Sequence, residues 1–365
     1  MIAIHQFLPS LAPRDAQSQH HLHVRDALRS AGYSSEIYAG EAKGDLRSQA
    51  RPFRSFDPDR VDGDRVDDSW ILYAHAIGSP VADFVRDRPE PLMLYFHNIT
   101  PSSMFAPWEP TAAIKLGAGR RQLPALVARC RLAMANSRYS ETELIDLGAR
   151  RTAVVPVMFD TENFATAPDR TTFDELSASS ANGIVNVLFV GRLAPNKAQH
   201  RLIAALAALR RGHDIDARLH LIGGSASDRY ERTLREYVDA LGLADSVSFV
   251  GSATPAVLAA YYRAATVFVS ASEHEGFCVP ILEAWYHDLP VVALATTAVD
   301  ETLGSAGARL RSNTPTRIAA AIARVVSDDG VATVLRARGR ERLDEFGVER
   351  SKGRLLEAVR SVVEP

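Results

Sequence analysis

Residues 266–294 read TVFVSASEHEGFCVPILEAWYHDLPVVAL, and their pattern decides the fold. The apolar run at 266–269 predicts a strand, which a polar loop containing glycine follows. Pro280 stands in the first turn of a predicted helix over 279–287, where its missing N–H costs nothing. The apolar run at 291–294 predicts the next strand. A strand, a crossover helix and a second apolar strand are typical of a parallel sheet.

The same alternation extends through most of the chain. Further strands are predicted at 2–7, 36–39, 70–74, 92–96, 132–135, 152–157, 185–190, 218–222 and 247–250. Helices are predicted at 18–30, 197–211, 230–241, 255–264, 316–327, 331–345 and 349–362. We therefore predict an α/β fold of two doubly wound parallel-sheet, Rossmann-like domains that face each other across a cleft.

Two polar segments interrupt this pattern. The segment 160–183 is rich in Thr, Ser and Asn, and we predict a linker at 166–183 between domains at 1–165 and 184–346. In the segment 41–69, 14 of 29 residues are charged, so we expect a solvated loop that buries little.

Composition excludes several classes of protein. The formal net charge of -2 does not favour a nucleic-acid partner. The two cysteines, Cys130 and Cys278, are too few for a disulfide framework or a metal cluster. The N-terminus lacks a secretory signal, and no apolar run approaches the roughly 20 residues that span a bilayer. We expect a cytoplasmic protein.

Cations follow the strand predicted at 185–190. Gly191 allows a sharp turn there, and Arg192 and Lys197 flank a loop that leads into a helix. A diphosphate fits this loop, because Arg can clamp it with two hydrogen bonds and Lys adds a second charge. The alternative is a solvated turn with surface cations.

Carboxylates accompany the loop after the strand at 266–269. Gly276 permits a tight bend that presents the backbone N–H groups of Phe277 and Cys278 to an anion at a helix start. Glu275 precedes this bend and Glu283 lies about two turns further along. Because a carboxylate repels phosphate, its presence favours a ligand that also carries hydroxyl groups. Alternatively, Glu275 caps the helix and Glu283 is a surface residue.

Residues 185–310 resemble the retaining family-four glycosyltransferases of GT-B architecture. The resemblance rests on Gly191-Arg192 with Lys197, on the Glu-Gly-Phe-x-x-Pro-x-x-Glu-Ala motif at 275–284, and on Pro-Val-Val at 290–292. The family usually has Gly where this chain has Cys278. The family also implies that the helix in 347–365 crosses back to the N-terminal domain.

This resemblance implies a donor site for a nucleoside diphosphate sugar, linked to GDP or UDP. Arg192 and Lys197 would hold the diphosphate, Glu275 the sugar hydroxyls and Glu283 the ribose, with the base near Val250-Gly251. It further implies transfer of a hexose-type sugar, with retention of configuration, to a hydroxyl of a glycan, glycolipid or lipid-linked acceptor in polysaccharide biosynthesis. No cofactor or metal is implied.

The N-terminal half offers fewer candidates. His97 ends the strand at 92–96 and resembles the family histidine that reaches the donor sugar; Asn98 follows it. On the acceptor side we place Ser10 and His20, although the first loop lacks the family's usual Gly pair. A histidine at such a position is otherwise a structural hydrogen-bonding residue. We predict no metal site at 20–23, because the histidines there lie on different faces of one helix.

Residues 110–140 carry six basic side chains and no acidic one. This charge predicts either a solvated helical face or peripheral contact with anionic membrane at the inner surface. The six residues are Lys115, Arg120, Arg121, Arg129, Arg131 and Arg138.

The sequence also bears on three other functions. A dehydrogenase is disfavoured, since no predicted strand leads into Gly-x-Gly-x-x-Gly. A nucleotide-sugar epimerase of the same architecture and a non-catalytic nucleotide-sugar-binding partner of another transferase remain alternatives. The Asp-x-Asp pairs at 57–59 and 62–64 stand in the charged loop, where we interpret them as turn residues and not as metal ligands.

Overall fold

A computed structural model describes residues 2–13, 15–61, 64–65 and 68–364, without the side chains of residues 60, 61, 64, 65 and 163. The Asp-x-Asp pair at 62–64 therefore lies largely outside the described residues. The chain divides into two compact units. The first comprises Met1–Ser103, Thr111–Phe159 and Phe346–Pro365, and the second comprises Met104–Pro110 and Asp160–Glu345.

The first unit contains a seven-stranded parallel sheet in the order β3-β2-β1-β6-β7-β8-β9. The strands of this unit are β1 (Ile2–Leu11), β2 (Ile37–Ala42), β3 (Arg51–Pro52), β4 (Arg60–Val61), β5 (Asp64–Arg65), β6 (Asp68–His75), β7 (Leu92–Phe96), β8 (Leu132–Ala135) and β9 (Thr152–Val154). Its helices include α1 (Ala16–Ser30), α2 (Pro80–Arg86), α4 (Pro110–Arg129, from Thr111 on) and α5 (Arg138–Asp146), whereas α3 (Ser102–Phe105) has residues in both units.

The second unit contains a six-stranded parallel sheet in the order β12-β11-β10-β13-β14-β15. Its strands are β10 (Val185–Val190), β11 (Ala217–Ile222), β12 (Val247–Gly251), β13 (Val267–Ser270), β14 (Val291–Leu294) and β15 (Ala308–Leu310). Its helices are α6 (Arg170–Ala181), α7 (Gln199–Gly212), α8 (Asp228–Ala240), α9 (Pro255–Ala264), α10 (Val279–Tyr286), α11 (Thr297–Leu303), α12 (Pro315–Ser327) and α13 (Asp329–Leu343). Two open parallel sheets with helices confirm the predicted fold class.

The last helix, α14 (Val348–Val363), packs in the first unit although it follows the second in sequence. Its buried residues Leu355 and Val359 join a core formed by β1, β6, β7 and α1. Tyr33 donates a hydrogen bond to the carboxylate of Glu364 just beyond the helix. The end of the chain is therefore part of the hydrophobic core of the first unit.

Both polar segments contain more structure than their composition predicts. Within 160–183, α6 forms with Asp169 as its N-cap, which accepts from the backbone N–H of Thr172 at 2.9 Å, and Leu176 is buried. Within 41–69, Phe56 is buried and its ring lies 5.1 Å from that of Phe7. Phe56 is therefore an exception to the expectation that this loop buries little: it packs on β1, whereas the described charged side chains of the segment are exposed.

Helix α4 was not predicted as an element because glycines and Pro124 interrupt it. Gly119 allows close packing, since a Cβ there would lie 2.7 Å from the backbone nitrogen of Gly78. The carbonyl of Gly119 also accepts a hydrogen bond from Nε2 of His75 at 2.9 Å. These tertiary contacts outweigh the low helix propensity of the segment.

Candidate functional site

Strand order defines a switch point in the second sheet, at β10 and β13. The chain leaves β10 towards β11 and β12 on one side, and returns to β13 on the other. In open parallel sheets, ligands bind beyond the carboxyl ends of strands at such a point. The loop after β10 carries Arg192 and Lys197, and the loop after β13 carries Glu275. The fold thus places both predicted motifs at one edge of one sheet.

Asn196 joins these two loops. Its side-chain amide donates to the backbone carbonyl of His274 at 3.0 Å, and its backbone carbonyl accepts from the backbone N–H of Glu273 at 2.8 Å. Asn196 is buried, so both bonds are shielded from water. Sequence reasoning did not single it out; its position directly before Lys197 was the available signal.

Lys197 and Glu275 form an ion pair across the loops. Nζ of Lys197 lies 2.5 Å from Oε1 of Glu275, and their side chains are only 19% and 9% exposed. The backbone N–H of Glu275 donates to the Thr297 hydroxyl at 3.1 Å, at the start of α11. The pair places a cation beside a carboxylate that can accept hydrogen bonds. This arrangement suits a ligand that has both an anionic group and hydroxyl groups.

Arg192 differs from Lys197 in its surroundings. Its side chain is exposed, and within the described part of the chain it makes no ion pair. Its backbone is fixed, because its carbonyl accepts from Nε2 of Gln199 at 2.9 Å. Arg192 is therefore a cation on a fixed backbone, and its guanidinium can pair with an incoming anion.

Glycines bring the neighbouring strand ends close together. The φ angle of Gly223 is +142°, and a Cβ there would lie 2.2 Å from the carbonyl oxygen of Gly191. The N–H of Gly191 donates to the carbonyl of Ile222 at 2.8 Å. Val250 and Gly251 end β12, which borders β11, and so lie at the same edge of the sheet.

Cys278 adopts a backbone conformation that favours glycine. As the N-cap of α10 it has φ 79° and ψ 65°, in the left-handed region. Its thiol is buried, and burial raises its pKa well above the ordinary value. On the loop beside it, the Phe277 carbonyl accepts from the Thr302 hydroxyl at 2.8 Å, and Gly276 forms the bend before them. The Gly-to-Cys departure therefore introduces backbone strain at the predicted anion site.

Glu283 lies on α10 and accepts a hydrogen bond from the Tyr262 hydroxyl at 2.6 Å. Burial raises the pKa of Glu283 to about 7, against the lowering effect of the Tyr262 bond. It is therefore not a fully solvated surface residue. A carboxyl group kept partly dehydrated can accept hydrogen bonds from ligand hydroxyls.

His97 follows β7 in the first unit and is buried. Its Nε2 lies 2.8 Å from Nε2 of His21, whose Nδ1 lies 2.7 Å from Oε1 of Gln6. Burial lowers the pKa of His97 well below its ordinary value, and the nearby His20 and His75 lower it further. The ring is neutral near pH 7 and acts as a hydrogen-bonding group.

The other candidates in the first unit have different surroundings. Asn98 is buried with φ 70°, and its amide donates to the Ser140 hydroxyl at 3.1 Å, so its side chain supports the loop. His20 is fully buried, and its Nδ1 accepts from the backbone N–H of Met158 at 3.1 Å. Its ring is therefore shielded in this structure, and its assignment to the acceptor side stays a prediction. Ser10 is exposed near the end of β1.

Among the six basic residues in 110–140, Arg120 and Arg129 bond carbonyls and a carboxylate of the first unit. Arg120 bonds the carboxylate of Glu143 and the carbonyl of Ile99, and Arg129 bonds the carbonyls of Arg88 and Glu90. In contrast, Lys115 and Arg121 are exposed on α4, beside Ile114, which is 69% exposed. Across the described residues, no helix has the length and apolar character required to span a bilayer.

Residues 185–328 match the sequence profile of a family described as Glycosyl transferases group 1. A D-inositol 3-phosphate glycosyltransferase of Kineococcus radiotolerans is 30% identical over 361 residues, covering 93% of this chain and 82% of that protein. A GDP-mannose-dependent alpha-(1-6)-phosphatidylinositol monomannoside mannosyltransferase of Mycobacterium tuberculosis is 32% identical over 164 residues, covering 42% of each chain.

Among solved structures, the Anabaena protein HepE in complex with UDP-glucose superposes with a TM-score of 0.73 at 18% identity. The match covers 98% of this chain and 99% of HepE. At this identity the likeness shows the fold alone. The family is shown by the Kineococcus relative, which is similar over most of both chains. The chain belongs to the group 1 glycosyl transferases, the family-four enzymes of GT-B architecture.

Proposed function

We propose that this glycosyltransferase moves a hexose-type sugar, with retention of configuration, from a GDP- or UDP-linked donor. The acceptor is a hydroxyl of a glycan, glycolipid or lipid-linked molecule. The observation that carries the proposal is the pairing of Lys197 with Glu275 beside the exposed Arg192, at the switch point of the second sheet. The UDP-glucose of HepE and the GDP-mannose in the mannosyltransferase's name support this class of donor.

The charges suit departure of a nucleoside diphosphate. As the bond from the sugar to the diphosphate breaks, negative charge grows on the leaving oxygen, and Arg192 and Lys197 stabilise it. Glu275 accepts hydrogen bonds from sugar hydroxyls and keeps Lys197 in place before the donor arrives. In a retaining reaction the acceptor hydroxyl attacks the same face of the sugar, and a donor phosphate oxygen takes its proton. Glu283, bonded by Tyr262, accepts from the ribose hydroxyls.

The leaving-group assignment is tested by Arg192→Ala and Lys197→Ala. We expect each to lower turnover about a hundredfold or more, as loss of a charge-stabilising group does. Arg232→Ala, which removes an exposed cation from α8, is the matched control and should leave turnover unchanged. Near-wild-type turnover in both test variants would refute the assignment.

We further propose that the two cations replace a metal ion at the diphosphate. In the part of the chain that the structure describes, no three His, Cys, Asp or Glu side chains are arranged to hold a metal. Because Arg192 and Lys197 supply positive charge at the diphosphate, turnover should persist in excess chelator. Loss of turnover that added Mg²⁺ or Mn²⁺ restores would contradict this proposal.

Peripheral membrane contact through 110–140 is a separate proposal. The exposed Lys115, Arg121 and Ile114 on α4 are the residues that could meet an anionic bilayer. Reversal of Lys115 and Arg121 to Glu should abolish sedimentation with anionic vesicles and leave neutral vesicles unaffected. Arg120 is unsuitable for this test because it holds Glu143. Binding that survives the reversal would contradict the proposal.

A further inference from the structure

Gln6, His21 and His97 form a buried polar chain in the first unit. Gln6 lies on β1, His21 on α1 and His97 directly after β7. Gln6 and His21 are completely buried, and His97 is 4% exposed. Ring nitrogens and amides are expensive to bury unless their hydrogen bonds are satisfied. The hydrogen bonds among these three side chains therefore constrain which ring nitrogens carry a proton.

The backbone fixes the orientation of the Gln6 amide. One end of this amide lies 3.0 Å from the carbonyl oxygen of His21, which can only accept a hydrogen bond. The amide nitrogen must therefore be at that end. The amide oxygen then faces Nδ1 of His21 at 2.7 Å. Because this oxygen can only accept, Nδ1 of His21 carries the proton.

The tautomer of His97 follows from that of His21. With its proton on Nδ1, a neutral His21 has a lone pair on Nε2. Nε2 of His97 lies 2.8 Å away and must donate to it. The proton of a neutral His97 is therefore on Nε2, and its Nδ1 is an acceptor.

Other arrangements cost more. The opposite tautomers would place a lone pair of His21 against the Gln6 oxygen, or after an amide flip would place two oxygens 3.0 Å apart. A doubly protonated His21 would be a fully buried cation, and burial lowers the pKa of both His21 and His97 well below ordinary values. One tautomer of His97 satisfies every contact.

We propose that His21, oriented by Gln6, is a positioning residue that holds His97 as its Nε2–H tautomer and leaves Nδ1 to accept from a ligand hydroxyl. Among the described residues, Nδ1 of His97 has no hydrogen-bond partner. The atom is covered in this structure, so a ligand reaches it only after its neighbours shift. An acceptor at this position pairs with a hydroxyl and not with a phosphate oxygen, which is itself an acceptor.

The identity of that ligand rests on the proposed function and on the family resemblance, which implies that His97 reaches the donor sugar. The tautomer itself does not, so it can be measured in the free protein. Nitrogen-15 NMR of histidine-labelled protein distinguishes a protonated ring nitrogen from one with a lone pair. We expect a protonated Nε2 and an unprotonated Nδ1 for His97, with the reverse for His21. Protonation of His97 on Nδ1, or averaging between the two forms, would overturn the proposal.

Two variants test the positioning role. His21→Phe keeps a ring but removes the acceptor, and Gln6→Leu removes the group that fixes His21. In either variant we expect His97 to populate both tautomers and kcat/KM to fall about tenfold. His220→Gln is the matched control: it alters a buried histidine on β11 in the second unit, and the His97 tautomer should not change. A fixed Nε2–H tautomer in folded His21→Phe would refute the role, and Gln6→Leu decides if that variant does not fold.

A third measurement separates this inference from the proposed function. A nucleotide sugar that the protein turns over should shift the His97 Nδ1 signal, whereas the nucleoside diphosphate alone should not. A fixed tautomer whose signal ignores the nucleotide sugar would refute the donor contact and leave the positioning role intact. A mobile tautomer would refute the positioning role whatever the donor does.

Discussion

Replacing Glu283 by Gln removes a carboxyl group that folding partly dehydrates. The pKa of Glu283 is raised from 4.5 to about 7 by burial, although the Tyr262 hydroxyl donates to it. At about 1.4 kcal/mol per pKa unit, a shift of this size corresponds to roughly 3 kcal/mol. Glu283 retains part of its exposure to solvent, so this value is an upper bound.

The direction of the pH dependence follows from the raised pKa. The unfolded chain loses this proton near pH 4.5, whereas the folded protein keeps it until about pH 7. Between these values the folded state binds more protons, so this group makes the free energy of unfolding fall as pH rises. Glu283→Gln does not titrate. The free energy of unfolding of this variant should match that of wild type near pH 4.5 and exceed it by up to about 3 kcal/mol at pH 8.

Urea unfolding at pH 4.5, 6 and 8 measures this difference. Subtracting wild type from the variant at each pH cancels the opposite contribution of buried histidines such as His97. Glu341→Gln, on the exposed surface of α13, controls for the change in net charge. The reasoning would be refuted if Glu283→Gln were less stable than wild type at pH 8. It would also be refuted if the difference in the free energy of unfolding between the two proteins did not change with pH. The same variant should bind nucleotides more weakly if Glu283 holds the ribose.

The remaining predictions concern the loops and the last helix. Asn196→Ala leaves the His274 carbonyl without its side-chain partner, so we expect a loss of about 1–3 kcal/mol in urea unfolding and a lower kcat/KM; an unchanged kcat/KM would count against its role in joining the loops. Cys278→Gly should retain turnover and stability within about 1 kcal/mol, whereas Cys278→Val, β-branched at φ 79°, should lose both; equal behaviour of the two variants would contradict the strain argument. Truncation after Phe346 removes Leu355 and Val359 from the core, and circular dichroism should show unfolding of the first unit; a folded, active truncated protein would contradict this.

Strand and helix positions were largely predictable from sequence because parallel strands and their helices have strong apolar periods. The predicted strands at 185–190, 92–96 and 132–135 match β10, β7 and β8. Helix α4 was not predictable in this way, because Gly119 disfavours a helix locally and is required only by contact with Gly78. The core position of Phe56 likewise depends on β1, which is far away in sequence.

Motif spacing predicted candidate side chains in the second unit but not how they pair with one another. Lys197 and Glu275 were assigned separate ligand groups, whereas the structure joins them in one ion pair. The Tyr262 bond to Glu283 arises because α9 packs near α10, which no local pattern encodes. In the first unit, His20 and His21 are adjacent on α1 and both are buried. The helical period alone does not predict this, because the two side chains lie on different faces of the helix and contact different elements of the unit.

Donor turnover by the purified protein tests the central claim most directly. In a panel of UDP- and GDP-linked hexoses with excess chelator, we predict that at least one donor raises the thermal transition and releases its nucleoside diphosphate. Release should be slow without acceptor and should fall at least about a hundredfold in Arg192→Ala. Tight binding of a nucleotide sugar with no release, with or without glycan and lipid acceptors, would instead identify a binding protein and contradict the account.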